Sequence, residues 1–357
     1  MPPTRQVYRR SPKVAGDATS GSTLILTEEE PITLTDLHSI LIRVHAVSLN
    51  YRDVNIIHGT NPWAVKADGI PCSDAAGVVV EIGSKVTDFQ VGDKVSPIFD
   101  QLAINGTEQS RQWLGGEVDG VLATHVVFPA EKCVKFPEHL SFEEAACLPN
   151  AGITAWSALM GTRGELQVGK TVLIQGTGGV SMMAVKMARV AGCKVILTSS
   201  SDEKLERVRR ECENESRPKI QVVNYKTNER WDEEVVRLNG GRGVDIAIEN
   251  GGNSTLKRTM GAMAKKGVIG QVGYLGGQST AGLDGMLSTL IDKTITLQGI
   301  NVGSKLDQDK MNQAIAANEM RLTDVIDRTF QFDEAIAAME YLWSGQHVGK
   351  VVIQVKQ

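Results

Sequence analysis

Hydrophobic and polar positions follow two different patterns along the chain. Before residue 150, short apolar runs such as 39–49 (SILIRVHAVSL) and 77–86 (GVVVEIGSKV) are separated by turn signals at short intervals. After residue 170, short apolar runs alternate with longer helical stretches. The first pattern is typical of a small β-rich, barrel-like domain, and the second of strands joined by crossover helices. We therefore predict two domains.

The second half contains six predicted strands with intervening crossovers, which fits a doubly wound parallel sheet. The predicted strands are 171–175, 194–198, 220–224, 244–249, 267–274 and 294–300, and the helices between them include 182–191, 202–212, 231–238 and 255–265.

The chain leaves this alternation after residue 302. The pattern there predicts helix 307–319, strand 325–332, helix 333–342 and strand 350–355. A lone final strand indicates that the chain returns to complete the first domain. We therefore expect residues 1–150 and 303–357 to form one domain and residues 151–302 the other.

Two stretches of the first half have a composition or spacing that predicts their local structure. Residues 100–120 are polar and glycine-rich, and we expect a long loop that lies beside the active site. Ser141, followed three residues later by Glu144, forms a capping box that begins a helix over 141–148. A second helix is predicted over 151–160.

The most informative stretch is 171–200, which reads strand, glycine turn, helix, strand. About thirty residues is the size of a βαβ dinucleotide-binding unit, and the alternative is an ordinary βα turn. The first glycine permits a tight turn, the next ones let backbone approach a pyrophosphate, and the helix directs free N–H groups at it. Ser181 replaces the usual third glycine. The turn residues are Gly176, Thr177, Gly178, Gly179 and Val180.

The end of the second strand of this unit indicates which nucleotide binds. An acidic residue at that point usually binds the ribose of NAD, but here the sequence is Thr198-Ser199-Ser200-Ser201. Hydroxyl groups can donate to a 2′-phosphate, and Lys204 adds positive charge nearby. We therefore expect NADPH rather than NADH. The simpler role for Ser200 or Ser201 is to cap the helix that begins at Asp202, and both roles can hold together.

Composition narrows the class of protein. The chain has 357 residues, of which 41% are hydrophobic and 22% charged, and its net charge is −4. That balance indicates a soluble globular protein and does not favour nucleic acid or an anionic membrane surface as a partner. No apolar run approaches the ~20 residues that span a bilayer, and the N-terminus lacks a secretory signal. Five cysteines without a CxxC pair indicate reduced thiols and a cytoplasmic location.

Several motifs together resemble the medium-chain dehydrogenase/reductase superfamily, specifically its zinc-free quinone-oxidoreductase-like branch. The resemblance covers nearly the whole chain from about residue 20. Besides the glycine turn, the motifs are 49–53 (LNYRD), 74–79 (DAAGVV), 91–95 (VGDKV), 148–155 (LPNAGITA), 223–225 (VNY), 241–245 (GRGVD) and 349–352 (GKVV).

The resemblance implies a GroES-like catalytic domain, a Rossmann domain, an active site in the cleft between them, and hydride transfer from nicotinamide. It places Thr154 near the nicotinamide, and Ser199, Lys204 and Tyr225 around the 2′-phosphate. Lys350 matches a family position near the cleft. The other cofactor-binding residues that it implies are Asn250, Gly251, Val272, Gly273, Tyr274, Asn301 and Val302.

The same resemblance bears on zinc. Zinc alcohol dehydrogenases of the superfamily bind the metal with Cys, His and a second Cys, and the matching positions here are Asn50, Ser73 and Asn150. These neutral side chains do not supply the thiolates and imidazole that catalytic zinc needs. The four-cysteine structural zinc loop is also absent from the sequence. We therefore expect no metal.

Without a Lewis acid, the alkoxide formed from a plain ketone lacks strong stabilisation, whereas the enolate formed from a conjugated C=C needs only hydrogen-bond donors. The expected function is NADPH-dependent reduction of a small α,β-unsaturated carbonyl compound or a quinone. Candidate catalytic residues are Asn50, Tyr51, Asn150 and Thr154. The alternatives are a zinc-independent alcohol/ketone oxidoreductase and an NADPH-binding sensor with little turnover. The family also implies a homodimer paired through the edge strand 294–300.

Overall fold

The computed structural model describes residues 4–14, 17–161, 165–213, 219–277 and 284–355. The chain divides into two compact units, one formed by Met1–Ile153 with Gly303–Gln357 and the other by Thr154–Val302. The first is β-rich and the second contains a parallel sheet with helices. The predicted fold class, a Rossmann sheet plus a β-rich GroES-like domain, is confirmed.

The elements up to residue 152 are mainly strands. They are β1 (Arg5–Val14), β2 (Asp17–Glu29), β3 (Ser39–Ser48), α1 (Tyr51–Ile57), β4 (Asp74–Ile82), β5 (Lys94–Pro97), β6 (His125–Pro129), β7 (Cys133–Lys135) and α2 (Phe142–Ala146), followed by a π-helical turn over Leu148–Gly152.

From residue 153, strands and helices alternate. The elements are α3 (Ile153–Met160), β8 (Thr171–Gln175), α4 (Gly179–Val190), β9 (Lys194–Ser199), α5 (Asp202–Glu213), β10 (Gln221–Asn224), α6 (Trp231–Leu238), β11 (Val244–Glu249), α7 (Leu256–Ala262), β12 (Met263–Gln271), α8 (Met286–Asp292) and β13 (Thr296–Gly299). The last elements are α9 (Lys305–Ala317), β14 (Ile326–Gln331), α10 (Ala335–Trp343) and β15 (Lys350–Gln354).

In the first unit, the sheet has the order β14-β15-β3-β4-β5-β7, and β6 also pairs with β3. β3 is buried along most of its length because it lies between β15 and β4. Both neighbours are antiparallel to β3, with Val352 opposite Ser48 and Asp74 also opposite Ser48. The end of β3 therefore lies beside the beginnings of β4 and β15, and the end of the chain completes this sheet.

The second unit has the strand order β10-β9-β8-β11-β12-β13 with all pairs parallel. This is the doubly wound arrangement predicted from the six apolar runs. Because the strands are parallel, all six carboxyl ends lie at one edge of the sheet. Met182, Met183 and Met187 of α4 are buried, as expected for helix packing.

Several elements differ from those that the sequence pattern predicts. The pattern predicts one helix over 151–160, but the π-helical turn precedes α3, and the Gly152 N–H donates to the Cys147 carbonyl at 3.1 Å. Five-residue hydrogen bonding of this kind leaves the 3.6-residue period on which a helix prediction depends. The helices α1 and α8 were not predicted. The Ser141–Glu144 capping box was predicted correctly.

Candidate functional site

In the first unit, three of the sequence-predicted positions meet at the edge where β3 ends. Asn50 follows β3, Ser73 precedes β4, and Lys350 opens β15. The Lys350 ammonium donates to the Asn50 side-chain oxygen Oδ1 and to the Leu49 carbonyl, both at 2.6 Å. The Asn50 Nδ2 donates to Ser73 Oγ at 3.4 Å. Antiparallel pairing of β15, β3 and β4 thus gathers residues 300 positions apart.

The cluster around Asn50 contains buried groups of both charges. Lys350 is 2% exposed, and the carboxylates of Asp53 and Asp74 are fully buried near it. Burial raises the pKa of Asp74 to about 6, and the Lys350 ammonium opposes that rise. Burial likewise raises the pKa of Asp53, whose Oδ2 accepts from the Asn50 backbone N–H at 2.8 Å. A buried ammonium beside buried carboxylates lowers the cost of holding each of them out of water.

The remaining predicted catalytic positions have different surroundings. Tyr51 is 48% exposed, and its ring stacks on Trp343 with the centroids 6.1 Å apart. Asn150 is half-buried in the π-helical turn, which begins just after Cys147. Cys147 Sγ lies 3.5 Å from Ser48 Oγ, so the turn packs at the same edge of the sheet as Asn50. π-Helical turns are often found at functional sites.

The loop predicted beside the active site contacts the same region. Between residues 100 and 120 the structure has turns and isolated bridges rather than long strands or helices. Its end packs on the segment before β4, where the Gly120 N–H donates to the Ile70 carbonyl at 2.8 Å. Cys72 in that segment has φ 66°, a conformation that is strained for a residue other than glycine. Such strain is common at functional sites.

In the second unit, the glycine turn has the geometry that the sequence predicted. Gly176 has φ 78°, a left-handed conformation that glycine adopts without strain, and its N–H donates to the Thr198 carbonyl at 2.7 Å. Gly178 is the N-cap of α4, and a Cβ placed there would meet no atom within 4 Å. There is therefore open space beside the start of α4, at the positive end of its helix dipole.

The other predicted cofactor residues lie after the carboxyl ends of the neighbouring strands. Tyr225 follows β10, and its N–H donates to the Ser199 carbonyl at the end of β9 at 3.1 Å. Ser201 caps α5, because its Oγ accepts from the Lys204 N–H at 3.3 Å, as the simpler interpretation predicted. Asn250 and Gly251 follow β11; Val272, Gly273 and Tyr274 follow β12; Asn301 and Val302 follow β13.

Two residues of the second unit have features typical of a ligand site. Thr154 is 4% exposed, and among the described residues its Oγ1 has no hydrogen-bond partner. An unpaired buried hydroxyl is costly, so a ligand that bonds to it gains that energy. Val302 has φ 56°, which is strained for a β-branched residue. The resemblance implies a place near the nicotinamide for Thr154 and a cofactor-binding role for Val302.

A buried carboxylate that sequence reasoning missed holds these loops together. Glu249, at the end of β11, is 0% exposed and accepts hydrogen bonds from Gln175, Thr255 and Thr259. It also accepts from the backbone N–H groups of Gly251 and Gly252 at 2.7 and 3.0 Å. The signal was present in the sequence, since an acidic residue ends the apolar run 244–249.

Comparison with known proteins is consistent with this architecture. Residues 36–138 match the model of the alcohol dehydrogenase GroES-like domain, and residues 179–319 match that of zinc-binding dehydrogenase. A zinc-type alcohol dehydrogenase-like protein of Schizosaccharomyces pombe is 36% identical over 321 residues, which cover 88% of this chain and 90% of that one. The chain belongs to the medium-chain dehydrogenase/reductase superfamily.

Other relatives of this medium-chain dehydrogenase/reductase differ in size. A low-reducing polyketide synthase of Aspergillus calidoustus is 30% identical over 92% of this chain, and the chain spans 13% of that protein's length. A solved structure from Sinorhizobium meliloti 1021, described as an alcohol dehydrogenase, has 33% identity and a TM-score of 0.87 over 99% of both chains. A 2-octenoyl-CoA carboxylase reductase solved with NADP, at 22% identity and a TM-score of 0.82, shows the fold alone.

The names of some relatives refer to zinc, but the residues of this medium-chain dehydrogenase/reductase do not suit a catalytic zinc ion. At the matching positions, Asn50 and Ser73 are hydrogen-bonded to each other, and Asn50 Oδ1 is bonded to a lysine ammonium. The Lys350 ammonium, already bonded to Asn50, would repel a metal ion that approached the Asn50 oxygen. Among the described residues, no group of three or more His, Cys, Asp or Glu side chains could hold a metal.

Two further findings concern the whole chain. All five cysteines are buried thiols, and burial raises the pKa of Cys133 to about 12 and that of Cys147 to about 11. Within the described ranges, no helix has both the length and the apolarity needed to cross a bilayer.

Unlike a zinc ion, a nicotinamide dinucleotide fits the residues of this family member. The open space at Gly178 suits its pyrophosphate, and the Thr154 hydroxyl, which has no partner among the described residues, suits its polar ring substituent.

Proposed function

We propose that this family member is an NADPH-dependent, zinc-independent oxidoreductase that reduces the activated C=C bond of an α,β-unsaturated carbonyl compound or a quinone. The observation that carries the proposal is the donor set at the end of β3. Asn50, Ser73 and Asn150 stand at the positions where zinc-dependent relatives need thiolates and imidazole, and the Lys350 ammonium is bonded to Asn50. The reducing polyketide synthases among the relatives support reduction as the direction of the reaction.

The chain's own groups suit an enolate better than an alkoxide. When bound, NADPH would supply a hydride to the β-carbon of the acceptor. The negative charge then spreads over carbon and oxygen, and amide N–H groups such as those of Asn50 and Asn150 are sufficient to stabilise it. A plain ketone concentrates the same charge on one oxygen, where a Lewis acid or a strong proton donor is needed. A proton taken up from solvent or a side chain completes the product.

The preference for NADPH rests on the ends of β9 and β10. Ser199 and Tyr225 are brought together there by the hydrogen bond from the Tyr225 N–H. Ser200 is half-buried and follows directly, and no carboxylate occupies positions 198–201. A ribose 2′-phosphate would find hydroxyl donors, the Lys204 side chain and no acidic residue of the strand end to repel it.

A zinc-independent alcohol/ketone oxidoreductase is the second candidate. It is favoured by the names of the Schizosaccharomyces pombe relative and of the Sinorhizobium meliloti structure, both of which refer to alcohol dehydrogenase. The donor set described above favours the enone or quinone instead, because it offers hydrogen bonds and no metal.

A cofactor and acceptor panel tests the proposed function. Oxidation of NADPH and of NADH is followed with enones, quinones and simple ketones, in the presence and absence of a chelator. We expect NADPH oxidation with enones or quinones that the chelator does not change. Reduction of ketones alone would favour the second candidate, inhibition by the chelator would contradict the zinc-free mechanism, and binding of NADPH without turnover would indicate a sensor.

We also propose that the protein is a homodimer paired through the free edge of β13. Within the described part of the chain, that strand pairs with β12 on one side only, and the preceding α8 has no buried residue. Leu287 and Ile291 on α8 are each 70% exposed, and Leu297 on β13 is 36% exposed. A second copy of the same edge would cover these side chains and the unpaired strand.

The dimer is tested by light scattering of the purified protein. We expect twice the chain mass of 38.6 kDa. The double substitution Leu287→Arg and Ile291→Arg should shift the mass to that of the monomer, because it places charge on an apolar contact. The matched change Leu306→Arg, at an exposed leucine of the first unit, should leave the dimer intact. A wild-type monomer would contradict the proposal.

A further inference from the structure

The residues at the end of β3 form a directed chain of hydrogen bonds. The Lys350 Nζ donates to Asn50 Oδ1 at 2.6 Å, Asn50 Nδ2 donates to Ser73 Oγ at 3.4 Å, and Ser73 Oγ donates to Asp74 Oδ1 at 2.5 Å. Asn50 and Ser73, in the middle, each accept from one neighbour and donate to the next. The chain therefore runs from a buried cation to a buried carboxylate through the Asn50 side-chain amide.

The cation determines which way the Asn50 amide faces. An ammonium has donors only, so the amide oxygen must point to Lys350 and the NH₂ group must point away from it. The NH₂ group donates to Ser73 Oγ and also interacts with the Asp74 carboxylate, where it opposes the rise in the pKa of that group. Asn50 is half-buried whereas Lys350 is 2% exposed, so a ligand would meet this chain at Asn50 rather than at Lys350. Toward a ligand, this side of Asn50 is therefore a donor.

The cation also strengthens that donor. A hydrogen bond from an ammonium to an amide oxygen withdraws electrons from the amide nitrogen, and hydrogen bonds in series polarise one another. The effect is larger in a buried site, where the dielectric constant is low. A second fixed contact, from Lys350 to the Leu49 carbonyl at 2.6 Å, keeps the ammonium in place.

We propose that Lys350 is a positioning residue that orients and polarises the Asn50 carboxamide, so that its NH₂ group stabilises the oxyanion of the reduced substrate. The inference rests on the proposed function, in which an enolate oxygen forms. The positive charge that zinc-dependent relatives bring directly to the substrate oxygen is here transmitted through an amide.

A double-mutant cycle on kcat tests the proposal. We expect Asn50→Ala to lower kcat about a hundredfold, the typical effect of removing one oxyanion donor. Lys350→Met should lower kcat by about tenfold or more but by no more than Asn50→Ala, because it acts only through Asn50. The double variant should match Asn50→Ala alone, and Lys350→Arg should recover part of the loss. The kcat values are compared at saturating NADPH, so that a change in cofactor affinity does not enter the cycle.

The double variant also gives the result that would contradict the inference. If the two losses multiply in the double variant, Lys350 acts independently of Asn50 and the inference is wrong. Should Lys350→Met fail to fold, Lys350→Gln replaces it in the cycle, since it keeps a donor and removes the charge.

A measurement without turnover separates this inference from the proposed function. In protein labelled with ¹⁵N-asparagine, the Asn50 side-chain signal is assigned by its loss in Asn50→Asp. Lys350→Met should shift that signal and Lys350→Arg should restore it. An unshifted signal would overturn the inference, whereas a shifted signal in a protein that reduces no acceptor would mean that only the proposed function fails.

Discussion

Replacing Gly178 with valine is expected to raise the dissociation constant for NADPH about a hundredfold, a loss of about 2.7 kcal/mol. Gly178 has φ −80° and ψ −176°, which any residue adopts, and a Cβ there points into open space. The fold therefore tolerates the side chain. A pyrophosphate bound at the first turn of α4 would occupy the same space, so the added isopropyl group would exclude it.

Gly178→Ala is the matched control for this substitution. Alanine and valine are both poor N-caps, and each should cost up to about 1 kcal/mol of stability. They differ in bulk, so the difference in NADPH affinity between them reports steric exclusion alone. Fluorescence titration with NADPH and thermal unfolding are the measurements. Equal affinities for the valine variant and the wild type would mean that the cofactor does not bind at this turn.

Replacing Glu249 with alanine is expected to destabilise the second unit by at least about 3 kcal/mol. Five donors would lose this acceptor, namely the side chains of Gln175, Thr255 and Thr259 and the backbone N–H groups of Gly251 and Gly252. Four of them keep a second acceptor, whereas among the described residues the Gly252 N–H has no other. Leaving a buried donor unsatisfied costs about 1–3 kcal/mol, and the weakened bonds of the other four add to that loss.

Glu249→Gln is the conservative variant for this site. Glutamine has the same shape and keeps one acceptor oxygen, but its NH₂ group opposes the remaining donors, so it should lie between alanine and wild type. Denaturant unfolding gives the stability, and titration with NADPH reports whether the loops at 176 and 250 remain in place. A variant Glu249→Ala as stable as the wild type would show that the network contributes little.

The elements and turns that could be predicted from the sequence are those that depend on residues close together along the chain. The glycine turn, the six strands and the loops after them are local patterns, and parallel pairing then brings their ends to one edge without further information. Ser201 as the cap of α5 was also predictable from its position before Asp202. These features needed no knowledge of tertiary contacts.

The cluster around Asn50 was not predictable in the same way. Lys350 contacts Asn50 across 300 residues, and only the pairing of β15 with β3 makes the contact. Glu249 is similar, because its partners come from β8 and α7 as well as from its own loop. The motif at 74–79 contains Asp74, but nothing in the one-dimensional pattern shows that its carboxylate is buried beside a lysine.

The π-helical turn over Leu148–Gly152 has a consequence for comparing this chain with its relatives. Such a turn contains one residue more than the α-helical turn it replaces, so it behaves as a single-residue insertion. Deleting one residue there would join α2 and α3 into a regular helix and rotate the side chains beyond it by about 100°, given 3.6 residues per turn. Relatives that align without a gap through this turn should therefore retain Asn150 on the same side of the chain, and those with a one-residue deletion should present a different side chain in its place.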